Sequence, residues 1–172
     1  FPEDDGRFTN EVRLRGVGCE ELMPPGQVAR RRGLAEFLLV LFHHDVEVEV
    51  GGERQPLKAP AVVLWDRRRP HWFGDSQNAW SHSWVVFDGD WWHDSGETLG
   101  PFMERILPAK EAAVLRGYFS QILREFEGFP QPDLRIVAGN IDLLLREVRR
   151  LADVHAGESL ARDPVGKACR WV

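Results

Sequence analysis

The hydrophobic period of this chain changes once, near Pro101, and each half then demands a different kind of backbone. From about Val12 to Phe87, β-forming residues come in short runs broken by Gly, Pro and charged turns, the pattern of an all-β barrel or sandwich. Leu34 to Phe42 is one such run. In DVEVEVGGER, Val46, Val48 and Val50 fall on one face and Glu47 and Glu49 on the other before a turn at Gly51-Gly52, so a half-buried hairpin is expected. Ala61 to Trp65, His71 to Phe73 and His82 to Phe87 supply further strands.

Beyond Pro101 the period is about three and a half, and the chain reads as helical. In PAKEAAVLRGYFSQILREFEG, Leu115, Phe119, Ile122 and Phe126 share one face of a helix that Gly128 and Pro130 end. A second helix is expected from an N-cap near Asp133 to about His155. Its apolar residues Val137, Ile141, Leu144, Val148 and Leu151 are spaced four, three, four, three, which predicts a coiled-coil-like seam for a homodimer. Leu143 and Leu145 lie off that seam and leave a second side for internal packing. HAGESLARDP reads as a linker, and PVGKACRWV restarts a helical pattern. The expected division is therefore 1–100 for the β unit with an N-terminal arm, 101–157 for the helical dimerisation region, and 158–172 for the linker and a further domain's beginning.

Charge and cysteine usage narrow the function classes. A formal charge of −5 over 172 residues argues against nucleic acid bound on a broad face of this chain, because the phosphates require concentrated positive charge. Cys19 and Cys169 are unpaired in spacing and no signal-peptide pattern opens the sequence, which points to a reducing, cytoplasmic setting. The longest apolar run, Phe37 to Phe42, is too short to cross a membrane.

A small β unit with a Gly-rich hairpin resembles the cupins, whose metal sites are written G-x5-H-x-H-x3-E-x6-G and G-x5-P-x-G-x2-H. Gly33 and Gly52 fit the ends of the first motif, but its two His positions are Leu39 and Leu41, and its acidic position is Asp45. The second motif ends on His71 if it begins at Pro60, with Asp66 and Arg68 in place of its Pro and Gly. Leucine has no lone pair to give a metal, so neither metal nor cofactor is expected. His43 and His44 are adjacent; neighbours on a strand point to opposite faces, and strand-end histidines are the expectation there. No phosphate-cradling loop, nucleophile elbow or Cys–His pair stands out.

The segment from Arg30 to Trp92 resembles the sensor domain of AraC-family transcription regulators. RRRGLAEFLLVLF is similar to that family's strand entering the barrel, RRPHWFG to its P-x-H-x-Y/F-G turn, and WSHSWVVFDGDW to its W-x-H-x-W-x-x-F signature followed by a helix. The resemblance implies an α+β fold, a cupin-like (jelly-roll) β-barrel followed by an antiparallel helical hairpin. It also implies a small-molecule effector held by Arg30, His82 and Trp84, with Phe73 where the arabinose-sensing member has tyrosine. Alternation places His82 with Trp84 on one face and His71 with Phe73 on one face, so all four are candidates to line a cavity, with Leu39 and Leu41 completing its apolar wall. Other readings of these residues are a core Trp84, a rim His82 and a solvated Arg30.

The function expected is that of a non-enzymatic sensor: an effector-binding, dimerising domain that acts on DNA only through a helix-turn-helix part absent from this sequence. A cupin-type metal-dependent isomerase or oxygenase is the alternative, and a free-standing carbohydrate-binding module is a third reading.

Overall fold

The computed structural model describes residues 13–89 and 100–162. Among these described residues, nine strands and two long helices follow in order: β1 (Arg13–Met23), β2 (Gly26–Arg30), β3 (Phe37–Phe42), β4 (Val46–Val50), β5 (Glu53–Leu57), β6 (Ala61–Trp65), β7 (His71–Asp75), β8 (Trp80–Asp88), a 3-10 turn (Gly100–Phe102), β9 (Leu107–Pro108), α1 (Ala112–Gly128) and α2 (Leu134–Arg162). One sheet has the order β1-β8-β3-β6-β9 and the other β2-β7-β4-β5. Every ladder within them is antiparallel. With β9 set aside, this interleaving of strands across two facing sheets is the jelly-roll order, which cupins share. The sheets form an open sandwich rather than a closed barrel, and the helices pack on the larger sheet.

Three layers therefore give two cores. Between the sheets lie Leu38, Val40 and Phe42 of β3, Val46, Val48 and Val50 of β4, and Trp65, Phe73 and Trp80. Between the larger sheet and the helices lie Phe37, Leu39 and Leu41 of the same β3, Val62 and Leu64 of β6, and the buried faces of α1 and α2. A strand covered on both faces needs no polar alternation, which is why FLLVLF and AVVLW are buried throughout. The VEVEV strand faces a core on one side only and alternates as expected.

The helical layer corrects three expectations. The seam residues Val137, Ile141, Leu144 and Val148 are buried in the core beneath the helices, with Leu151 packed against it. A helix lying on a sheet needs the same apolar stripe as one facing a second copy, so spacing alone does not separate the two. On α1, Leu115, Phe119 and Ile122 are buried as expected, but Phe126 is exposed and Glu125 turns inward instead. The Glu125 carboxylate accepts the Asp133 N–H at 3.2 Å, and Asp133 in turn caps α2 by accepting the Arg135 N–H at 2.9 Å. Finally, α2 continues past His155 to Arg162, so the first part of the expected linker is helix. The segment PVGKACRWV and the helix expected after Trp92 lie outside the described residues.

Candidate ligand-binding site

The inter-sheet core is filled at one end and hollow at the other. At the filled end, aromatic rings pack edge to face and in stacks: Phe42 on Phe73 with centroids 5.4 Å apart, Trp65 on Phe73 at 5.4 Å, and Phe73 against Trp80 at 5.9 Å. The buried indole N–H groups there are satisfied, Trp65 donating to the Glu49 carbonyl and Trp80 to the Gly26 carbonyl. Above this plug a cavity of about 450 Å³ opens between β1/β8 and β2/β7.

Arg30, His71, Phe73, His82 and Trp84 all line this cavity, as alternation along β7 and β8 requires. Leu39 and Leu41 do not. They point into the core under the helices, and Leu38 supplies the apolar wall from the other face of β3. Six consecutive apolar residues carry no alternation, so the parity of β3 is unreadable from its sequence. The cavity also has lining residues that no sequence pattern singled out, chiefly Glu21 and the ion pair Arg15–Glu36 at 2.9 Å.

Register sets the polar groups. Arg30 pairs with His71 in the smaller sheet and Glu21 pairs with His82 in the larger, so each wall holds one charged residue beside one buried histidine. Burial pushes both imidazoles below their ordinary range, His82 to about 4, and Arg30 adds to the effect on His71; both rings are neutral at pH 7. His71 Nδ1 lies 3.3 Å from the Arg69 carbonyl, which only accepts, so the proton sits on Nδ1 and Nε2 keeps its lone pair. His82 Nδ1 is buried with no hydrogen-bond partner.

Trp84 is a plate laid across β1. Its ring crosses Gly16 and Gly18, where an added Cβ would stand 3.0 Å and 2.3 Å from indole atoms, and its Nε1 donates to Glu21 Oε2 at 2.7 Å. Glu21 reaches it because β1 bulges: from Gly18↔Trp84 to Glu21↔His82, β1 advances three residues while β8 advances two. Glu20 takes up the extra residue at φ 52°. That bulge reverses the parity of β1, which is why Glu21 is missed by counting along the strand.

A cupin metal set does not fit these residues. Leu39 and Leu41 face the helices, while Asp45 is held outside by Lys58 and by the Ala59 N–H. Among the described residues, no three His, Cys, Asp or Glu side chains are placed to hold a metal ion. His43 and His44 both turn to the larger sheet, where His43 Nε2 meets Ser83 Oγ at 2.9 Å and His44 Nδ1 meets Ser81 Oγ at 3.0 Å. They end a strand, as expected, but share one partner strand rather than opposing each other. Cys19, half-buried beside Ser83, is free and its thiol is pushed up by burial; Cys169 lies outside the described residues. No described helix is long and apolar enough to cross a membrane.

No protein-family model matches the chain, and no curated protein matches it in sequence. Among solved structures it is similar to the AraC-like transcriptional activator CuxR, at 15% identity over 72% of this chain and 48% of that one, with a TM-score of 0.49. The chain thus spans about half of CuxR. It is also similar to a predicted oxalate decarboxylase from Thermotoga maritima, at 20% identity over 50% of this chain and 74% of that one, with a TM-score of 0.38. A third likeness is to the Cupin_2 domain of an XRE family transcriptional regulator from Enterobacter cloacae, at 14% identity over 45% of this chain and 93% of that one, with a TM-score of 0.32. By its own strand order, the chain is a cupin-like jelly roll with a helical pair on its larger sheet and a cavity at the open end of the sandwich.

Proposed function

We propose that this chain senses a small molecule in the inter-sheet cavity and is the effector-binding part of an AraC-type regulator, without catalytic activity of its own. The observation that carries the reading is the composition of the cavity wall. Trp84 and Phe73 offer flat apolar faces, and two buried neutral histidines stand beside them, of which His71 keeps its Nε2 lone pair. A cavity of about 450 Å³ suits a ligand of metabolite size. Since His71 Nε2 accepts and Glu21 is a carboxylate, a fitting ligand brings hydroxyl or N–H donors on a body that stacks, as a sugar, a polyol or a hydroxylated aromatic does. In this proposal DNA is read by a separate helix-turn-helix part, the protein works in the cytoplasm, and it forms a homodimer through a surface other than the buried stripe of α2.

The test is a thermal-shift screen of the purified chain against sugars, polyols and aromatic metabolites, followed by calorimetry on any hit. A ligand at a hundred times its Kd adds about 2.7 kcal/mol, which raises the melting temperature of a chain this size by about 5–10 °C. Trp84→Ala is expected to weaken that ligand at least about tenfold through lost stacking, and Arg30→Ala to weaken it less. A hit that binds Trp84→Ala and Phe73→Ala as tightly as the parent would place the effector elsewhere. Stoichiometric metal in the purified chain together with turnover of a hit would replace the sensor by the enzyme.

A further inference from the structure

Glu20 and Glu21 are neighbours in sequence, yet they serve opposite layers. Glu21 stands at the cavity and accepts the Trp84 N–H. Glu20, turned the other way by its left-handed backbone, accepts from Arg116 of α1 at 2.8 Å. The same division runs along β8. Trp84 faces the cavity, whereas its neighbour Ser83, fully buried on the helix side, accepts the Glu20 N–H at 2.9 Å. Ser83 Oγ is in turn 2.9 Å from His43 Nε2 and 3.9 Å from Cys19 Sγ, so the serine ties the bulge to the end of β3 as well.

From these contacts we infer that the β1 bulge is the element coupling the cavity to the helices: Glu21 positions Trp84, and any movement of Trp84 against Glu21 is passed through Glu20 to Arg116 and α1. A bulge suits this task because its extra residue has no partner in the ladder, so it can change conformation without breaking the strand pairs on either side. The left-handed Glu20 adds to this, since a non-glycine residue at φ 52° is held there only by its surroundings. Those surroundings are the Ser83 hydroxyl and the Arg116 guanidinium, both on the helix side. The packing is close on the cavity side too, because a Cβ at Gly18 would stand 2.3 Å from Trp84 Nε1 and 2.5 Å from a Glu21 carboxylate oxygen. Gly18→Ala therefore imitates a ligand that displaces Trp84 and Glu21 together.

This inference rests on reading the cavity as an effector site, but its test needs no ligand. Hydrogen exchange is measured on the full chain for the parent, Gly18→Ala, Glu21→Ala and Arg116→Ala. Gly18→Ala and Glu21→Ala are each expected to speed exchange in the first two turns of α1 by about threefold or more, with β5 unchanged. Adding Gly18→Ala to Arg116→Ala is expected to bring no further change in α1. Unchanged α1 exchange in both cavity-side variants overturns the coupling, as does a full Gly18→Ala effect when Arg116 is already gone. If Gly18→Ala speeds exchange throughout, β5 included, Glu21→Ala decides, since shortening an exposed side chain introduces no clash: a change confined to α1 supports the coupling, and any other result overturns it. A silent ligand screen with an intact α1 response removes the effector and keeps the coupling, whereas a bound ligand with a silent α1 does the reverse.

Discussion

Acidification tests the cavity wall at a single residue. His82 is 4% exposed and its imidazole is pushed down to about 4 from an ordinary 6.5, by burial first, with His43 adding to the effect and Glu21 opposing it. A histidine whose folded pKa is depressed stabilises the fold fully above the unfolded value, near 6.5, and this stability is lost as pH falls toward the folded value, near 4. Within that window the unfolded chain binds the proton more readily than the folded one does, so the sign is fixed. The gap between the two values is worth about 3 kcal/mol at 1.36 kcal/mol for each factor of ten. His82→Gln does not titrate and should escape that loss. Urea unfolding of the two proteins at pH 7, 6, 5 and 4 therefore separates them. The parent should lose about 3 kcal/mol more than the variant between pH 7 and 4, a difference of about 1–2 M in midpoint at ordinary urea slopes. His71 and His43 are also pushed down by burial and steepen both curves alike, so only the difference reports on His82. Parallel curves would show that His82 is hydrated in the folded protein, and the cavity would then be wetter and more open than a buried imidazole allows.

Two further outcomes follow from the orientation of β3 and α2. Leu39→Ala, in the core under the helices, should cost about 2–5 kcal/mol in urea unfolding and leave affinity for a cavity ligand unchanged, whereas Leu38→Phe should reduce that affinity by filling the wall; the opposite pattern would restore Leu39 to the cavity. Leu144→Ala should likewise lower stability by about 2–5 kcal/mol, by an amount independent of protein concentration, because Leu144 is buried within one chain. A loss that grows on dilution, seen by sedimentation and unfolding together, would return α2's apolar stripe to a dimer seam.

Periodicity made several features legible before any coordinates. The exchange of a period of two for one near three and a half separated the sheets from the helices, because each backbone repeats its side-chain directions at a fixed interval. VEVEV named its own buried face, Asp133 its own cap, and the two-residue spacing of His71 with Phe73 and of His82 with Trp84 put each pair on one wall. What periodicity cannot supply is the identity of whatever covers a face. FLLVLF is apolar on both sides, so only the stacking of two sheets and a helical layer decided that Leu38 looks into the cavity and Leu39 and Leu41 toward the helices. The stripe from Val137 to Val148 is what α2 needs for any apolar partner, and here it is buried against α1 and the edge of the larger sheet at β9 within one chain. Glu21 was hidden for a third reason. β1 slips against β8 twice, and the extra residue between Gly18 and Glu21 reverses the alternation just before Glu21; such a bulge is fixed by how β1 meets β8 in space, through Trp84 lying over Gly16 and Gly18, and not by any pattern within β1 itself.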